Sequence, residues 1–115
     1  MSNAIFPAGS ALSTNVAWTS GNGRTIFRLQ EDGNLVLYRD GNPTWQAPNA
    51  WGNGNTARME SDGNFVLYNR SMRSVWSSGT SGNNGAFLAV QDDGNLVIYS
   101  QDGNQPLWAT NTGGQ

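Results

Sequence analysis

Apolar and polar residues alternate along most of this chain in runs of four or five, and each run gives way to Gly, Asn or Asp. A period of two is that of a half-buried strand, whose side chains point to opposite faces in turn. Residues 26–30, 56–60 and 87–91 are therefore read as strands. Each leads into Asp-Gly, at Asp32-Gly33, Asp62-Gly63 and Asp93-Gly94, and then into a second strand ending at Tyr38, Tyr68 or Tyr99. Asp-Gly between alternating strands predicts a hairpin with a type I′ turn, with positive φ at both central residues. A second turn follows at Asp40-Gly41-Asn42-Pro43 and at Asp102-Gly103-Asn104-Gln105, with Asn69-Arg70-Ser71-Met72 taking that place in between. A third strand then carries Trp45, Trp76 or Trp108.

These units are copies of one another. QEDGNLVLY at 30–38 recurs as ESDGNFVLY at 60–68 and QDDGNLVIY at 91–99, with starts 30 and 31 residues apart. The strand period puts Phe27, Leu29, Leu35 and Leu37 on one face. Ala57, Met59, Phe65 and Leu67 share the matching face of the second unit, and Leu88, Val90, Leu96 and Ile98 that of the third. One small sheet cannot bury such a face by itself; three related sheets around a common axis can. The expected architecture is an all-β, three-sided prism. Each side has about four antiparallel strands once a leading or following strand is counted, and the three tryptophans lie near the axis. A β-trefoil is the other arrangement open to three repeats, though its units run longer. Residues 1–115 read as one domain, since domains cluster near ~100–150 residues.

Composition narrows the chemistry. The chain of 115 residues has no Cys, no His and no Lys, and its net charge is −2. Without Cys there is no disulfide framework, thiol nucleophile or Cys-based zinc site. Without His, the usual catalytic triads are impossible. A mildly acidic chain whose only cations are six Arg is a poor binder of nucleic acid. Gly and Asn number 15 each, which favours frequent turns over long helices. No apolar run approaches the ~20 residues of a membrane-spanning helix, so no membrane insertion is expected. Residues 1–13 lack the basic cluster and apolar stretch of a secretory signal. The expectation is a cytoplasmic protein, or one released without such a signal.

The face opposite the apolar one is more informative. It carries Gln30, Asp32, Asn34, Val36 and Tyr38 in the first repeat. The second carries Glu60, Asp62, Asn64, Val66 and Tyr68, and the third Gln91, Asp93, Asn95, Val97 and Tyr99. Asp-Gly-Asn alone is turn chemistry. The amide two residues before the Asp and the Tyr six after it are not explained by a turn, nor is their recurrence. A carboxylate, two amides and a phenol spaced along one surface suit vicinal hydroxyls, each both donor and acceptor. The valine can touch the C–H face of a sugar ring. No metal or other cofactor is called for, and one carboxylate per site is a weak cation ligand. Adjacent acids at Glu31-Asp32 and Asp92-Asp93 point to opposite faces of a strand, so they cannot flank one glycosidic bond and no enzyme is expected. Trp51 lies in a Gly/Asn-rich loop, 48–55, without a repeat partner. It is read as a loop residue packed over a sheet edge, with a sugar-stacking platform as the other reading.

The threefold motif Gln-x-Asp-x-Asn-x-Val-x-Tyr resembles that of the monocot mannose-binding lectins, also called bulb-type or snowdrop-type lectins. The resemblance extends to the closing stretch at 108–114 and, more loosely, to 5–14. It implies a β-prism II fold with up to three shallow, metal-independent sites for mannose or mannose-rich glycans. Carried over by position, Asp32 and Asn34 hold the axial O2, Gln30 the O3 and Tyr38 the O4, with Val36 against the ring. The other two repeats follow, except that Glu60 replaces the expected Gln; this departure implies that the second site is the weakest. Plant members typically carry an internal disulfide, and its absence here implies a bacterial or intracellular relative. The resemblance further implies a homodimer in which the C-terminal strand, 106–112, crosses to the partner. A protein-interaction or antibacterial module on the same scaffold is the alternative function.

Overall fold

The computed structural model describes residues 3–114, which form twelve strands. In chain order they are β1 (Ala4–Phe6), β2 (Ala11–Ser13), β3 (Ala17–Thr19), β4 (Thr25–Leu29), β5 (Leu35–Arg39), β6 (Asn42–Gln46), β7 (Thr56–Met59), β8 (Phe65–Tyr68), β9 (Ser74–Ser77), β10 (Phe87–Val90), β11 (Leu96–Tyr99) and β12 (Pro106–Ala109). They build three four-stranded sheets, in the orders β3-β4-β5-β6, β2-β7-β8-β9 and β1-β10-β11-β12. Every pairing is antiparallel. The fold is all-β, a three-sided prism as the repeats predict, and it has the three four-stranded sheets that the resemblance implies for a β-prism II.

The fourth strand of each sheet has an origin that the repeats do not announce. Each repeat supplies three strands, and the N-terminal segment deals out one short strand to each sheet: β1 to the third, β2 to the second and β3 to the first. Strands of three residues pair only with help from packing. Phe6 of β1 provides some of it by stacking on Trp18 of β3, with centroids 4.2 Å apart and planes 10° from parallel.

Register explains the core. Trp18, Phe27, Leu37 and Trp45 stand side by side across the first sheet. The matching rows are Leu12, Ala57, Leu67 and Trp76 in the second sheet, and Phe6, Leu88, Ile98 and Trp108 in the third. Leu29 and Leu35, Met59 and Phe65, and Val90 and Leu96 form the next row, and all six are fully buried. Volume is exchanged between rows: the second sheet places Ala57 where the first has Phe27, and Phe65 where the first has Leu35. Phe27 and Phe65 then meet across the axis at 5.8 Å. Trp45, Trp76 and Trp108 form a triangle of edge-to-face contacts, with centroids 5.4, 5.5 and 5.5 Å apart. Tilted pairs of this kind contribute about 0.5–1.5 kcal/mol beyond the area they bury.

The first turn of each repeat differs from the expected type I′. Only Gly33, Gly63 and Gly94 take positive φ there; the aspartates do not. The loop has three residues, closed by Gln30 N to Asn34 O at 2.8 Å and Gly33 N to Gln30 O at 2.9 Å. This is the hairpin in which a turn is followed by a left-handed glycine. The aspartate's carboxylate explains the difference, because it accepts from the backbone N–H of the Asn two residues on and so closes a local turn of its own. A two-residue loop with positive φ at both positions occurs instead at the second turn of the first repeat, at Asp40 (φ 51°) and Gly41 (φ 83°).

Within the chain, β12 pairs with β11, and Trp108 completes the aromatic triangle with Trp45 and Trp76. The prism is closed at the seam between the third and first repeats by Asp92. Its Oδ1 accepts from Asn22 N at 2.8 Å, and its carbonyl accepts from Asn22 Nδ2 at 3.1 Å and Arg39 Nη1 at 2.6 Å.

Two glycines separate backbone strain from lack of space. Gly63 and Gly23 both have positive φ, at +92° and +76°. A Cβ on Gly63 would come under 3.0 Å from the backbone of Asn83, whereas a Cβ on Gly23 meets nothing within 4 Å. Gly23→Ala is expected to cost only about 1 kcal/mol, for the left-handed backbone. Gly63→Ala adds the clash and is expected to cost about 3 kcal/mol. Urea unfolding of the two variants checks the ordering.

Candidate functional site

The outer faces are built by the same alternation that builds the core. In each repeat the Gln or Glu closes the first turn, the Asp sits at its tip, the Asn immediately precedes β5, β8 or β11, and the Val and Tyr run outward-facing along that strand. The aspartates are exposed; the asparagines, tyrosines, Gln30 and Glu60 are half-buried. All fifteen residues expected from the sequence thus come together as three five-residue patches, one per sheet. Val36, Val66 and Val97 are only 3–5% exposed, so they form the floor of each patch rather than part of its rim.

Hydrogen bonds hold the polar members in place. Asp32, Asp62 and Asp93 each use Oδ1 to accept from the following Asn N–H at 2.9 Å, which leaves Oδ2 for a ligand. Asn64 Oδ1 accepts from Gly79 N at 3.0 Å, Thr80 N at 3.2 Å and Ser78 Oγ at 3.2 Å. Asn95 Oδ1 accepts from Leu96 N at 3.0 Å, Thr110 Oγ1 at 3.0 Å and Thr112 N at 3.3 Å. A backbone N–H can only donate, so these bonds turn the amide oxygen inward and present Nδ2 as a donor. The result is a carboxylate acceptor beside an amide donor. A sugar hydroxyl can donate to the first and accept from the second.

The first repeat reaches this arrangement differently. Ala47 stands where the others have Ser78 and Thr110, so no hydroxyl supports Asn34 from that strand. Asn34 Oδ1 accepts from Leu35 N at 3.0 Å, and its Nδ2 gives one hydrogen to Gln46 Oε1 at 2.9 Å and keeps the other. These supporting residues were not singled out from sequence. Their signal was the partial rhyme of the segments after each Trp, where Ser78-x-Thr80 and Thr110-x-Thr112 repeat.

The Gln–Tyr pair reverses polarity in the second repeat. Gln30 Nε2 donates to Tyr38 Oη, and Gln91 Nε2 donates to Tyr99 Oη at 2.5 Å. Each phenol keeps its own O–H to give to a ligand. Tyr68 instead donates its O–H to Glu60 Oε2. Glu60 and Tyr68 then both offer acceptors only, and the second patch has lost two donors. That hydrogen bond, with partial burial and the Glu60 charge, raises the Tyr68 pKa above the ordinary 10.0.

Two cations also border the patches. Arg28 and Arg58 lie opposite Val36 and Val66 on the neighbouring strand, and each lines a depression with its repeat's Gln30 and Asp32, or Glu60 and Asp62. Sequence reading missed them, although both stand two residues before the Gln or Glu and so share its face. The third repeat has Ala89 at this position. The first acid of each adjacent pair is occupied elsewhere: Glu31 accepts from Asn15 Nδ2 at 3.3 Å, and Asp92 holds the seam. Among the described residues, no three acidic side chains come together as a metal site would require.

Trp51 departs from expectation. It does not pack over a sheet edge but stands 74% exposed. The buried methyls of Ala47 and Ala50 fill the corner beneath the loop, which leaves the indole outside.

A prism of three sheets, each with an acid, two amides or their equivalent, and a phenol on its outer face, defines a small carbohydrate-binding protein. No protein-family model matches the chain, and no curated sequence relative does. Solved structures match closely. A lectin of Marasmius oreades is 32% identical with a TM-score of 0.87, covering 95% of this chain and 91% of its own. A monomeric mannose-binding lectin of the monocot Gastrodia elata is 31% identical with a TM-score of 0.83, covering 95% and 97%. The mannose-specific agglutinin of snowdrop, Galanthus nivalis, solved with methyl α-D-mannoside, is 39% identical with a TM-score of 0.76, covering 94% and 95%. The chain belongs to the family of monocot mannose-binding, or bulb-type, lectins.

The Glu60–Tyr68 pair can be followed by titration. The neutral phenol is the form held in the fold. Its contribution to stability is present below the ordinary tyrosine range and is lost as pH rises through the higher folded-state value. Ultraviolet titration is expected to find the Tyr68 phenol ionising above the ordinary tyrosine value, and Glu60→Gln is expected to bring it down. An unchanged profile in that variant would show that Glu60 does not hold the phenol.

Proposed function

We propose that this lectin binds terminal mannose in mannose-rich glycans through its three outer patches, without a metal and without chemical turnover. The observation that carries the reading is the acid–amide pair, fixed in the same orientation three times. An axial O2 can donate to the aspartate Oδ2 and accept from the asparagine Nδ2. An equatorial O2 leaves that pair poorly satisfied, and an unpaired polar group costs more than an absent contact. Gln30 and Gln91 serve O3, Tyr38 and Tyr99 serve O4, and the valines meet the ring. The mannosides bound to the snowdrop lectin support the same ligand class here.

Each patch is open and makes only a few hydrogen bonds, each worth ~0.5–1.5 kcal/mol net. Binding of one monosaccharide is therefore expected on the order of millimolar, about −4 kcal/mol, with useful affinity coming from several patches on one branched glycan. Calorimetry with methyl α-mannoside and methyl α-glucoside tests this, with binding of the first and not the second as the expected result. The second patch is the weakest, because Glu60 and Tyr68 lack donors. Asp32→Asn and Asp93→Asn keep the Oδ1 cap while removing the charged acceptor, so together they weaken the other two patches without opening the fold. In that background Glu60→Gln is expected to strengthen mannoside binding at neutral pH. A weaker second patch after Glu60→Gln would mean that the carboxylate accepts from O3 and is the better partner.

Assembly follows from the C-terminal strand. Exchange of β12 between two copies would re-create the pairing and the tryptophan triangle that one chain already has, so it adds no core contact. It would also open the turn before β12, where Ser100 N donates to Gln105 O at 2.8 Å and Ser100 Oγ to Asp102 Oδ1 at 2.6 Å. A closed monomer is favoured over the exchanged homodimer on this ground. Light scattering at micromolar concentration is expected to give a mass near 12.3 kDa; twice that mass would show exchange or another dimer.

A further inference from the structure

A single exposed aromatic side chain is ordinary on a protein surface. Trp51 differs from that in where it is held. Gly52 N donates to Asp32 O at 2.7 Å, just as Asn83 N donates to Asp62 O at 2.9 Å and Gly114 N to Asp93 O at 2.8 Å. These three bonds place Trp51, Gly82 and Gly113 at corresponding points of the chain; Gly82 has a left-handed backbone (φ +88°) and faces open space, whereas Trp51 and Gly113 do not share that φ. The Gly113 position borders the acid–amide pair directly: a Cβ there would lie 3.5 Å from Asp93 Oδ2 and 3.6 Å from Asn95 Cβ. Two repeats leave this position bare, and the first fills it with an indole. Trp51 and Asn34 accordingly line one depression, together with Gln46 and Asn49.

The loop beneath the indole is fixed. Asn53 N and Gly54 N both donate to Ala50 O, at 2.8 and 3.1 Å, and Gly54 N is shared with Gly33 O at 3.1 Å. Asn53 Nδ2 donates to Asn49 O at 2.9 Å. Gly54 cannot carry a side chain, because a Cβ would come under 3.0 Å from Gly33 O. The backbone after Trp51 is thus tied to the turn that carries Asp32, and the backbone before it is tied through Ala50 O to Asn53 and Gly54 of the same loop, so little ordering remains to be done when a ligand arrives.

Ring chemistry gives the direction. If Asp32 and Asn34 hold O2, Gln30 O3 and Tyr38 O4, then C1 is the next ring position beyond O2. The bond to the next sugar leaves on the side of the acid–amide pair, toward Trp51. We propose that Trp51 is an aromatic subsite for a second hexopyranose, α-linked through C1 of the mannose in the first patch. This rests on the mannoside reading of that patch. The apolar C–H face of the second sugar covers the indole, and the first patch alone of the three distinguishes a disaccharide from a monosaccharide.

The test reads the patches separately. The side-chain amide resonances of Asn34, Asn64 and Asn95 in the 15N-labelled chain are followed in titrations with methyl α-mannoside and with an α-linked mannobiose. Asn34 is expected to report about three- to tenfold tighter binding of mannobiose than of methyl α-mannoside, the size of gain that covering one aromatic face supplies. Asn64 and Asn95 are expected to report no such preference. Trp51→Ala removes no core contact and is expected to abolish the preference at Asn34 while leaving methyl α-mannoside binding unchanged; Trp51→Tyr is expected to retain part of it. A preference at Asn34 that survives Trp51→Ala, or that is equal at all three patches, overturns the subsite. Absence of any response to either sugar at all three amides overturns the mannoside reading itself, and the subsite with it. A response to both sugars with no preference at Asn34 overturns the subsite alone.

Discussion

Each sheet in this protein has one apolar face and is too small to bury it alone. Everything else follows from that constraint. Three such faces turned toward one axis bury one another, and the tryptophans on β6, β9 and β12 meet there as a triangle. The sheets need not be identical for this to work. Ala57 and Phe65 in the second exchange volume with Phe27 and Leu35 in the first, so the shared core stays filled while individual residues vary. A change in one sheet is therefore felt by the other two, and the three repeats form one core rather than three.

Because the core is satisfied from inside, the outer faces are free to carry chemistry. The tight first turn places the aspartate at a fixed point and lets its carboxylate serve two purposes at once, with one oxygen closing the backbone and the other left for a ligand. The asparagine beside it is turned by hydrogen bonds from the segment after each Trp. That segment belongs to the next corner of the prism, so site geometry and corner packing are the same set of contacts. The patches differ where those contacts differ: Gln46 holds Asn34 from the side, hydroxyl pairs hold Asn64 and Asn95 from beneath, and Glu60 accepts the Tyr68 O–H, whose counterparts on Tyr38 and Tyr99 stay free for a ligand.

Corners also explain how a linear chain closes a threefold figure. Between successive repeats, backbone N–H groups at 52–54 and 83–85 donate to carbonyls of the preceding turn. At the remaining corner no peptide continues from the third repeat to the first. Asp92 bridges it with its carboxylate and carbonyl, and Arg39 joins from the first sheet. The N-terminal strands tie the same figure from outside, since consecutive short strands go to three different sheets.

The period of two determined by itself which strand residues face the axis and that the Val and Tyr of each repeat face outward, because in a strand the side-chain direction depends only on position parity; the recurrence of the motif, rather than parity, singled out the turn residues beside them. The repeats likewise determined that three sheets must share one core, since the apolar faces matched and no single one could be covered locally. Tertiary structure decided what depends on residues distant in sequence. The fourth strand of each sheet came from short N-terminal segments whose pairing partners lie up to 86 residues away, at Ala4 and Val90. The form of the first turn depended on the aspartate's own capping bond, a competition that the dipeptide Asp-Gly does not display. The direction of the Glu60–Tyr68 hydrogen bond depended on two strands being paired. The place of Trp51 beside Asp32 depended on a backbone bond between a loop and a turn, and alternation carries no information about loops.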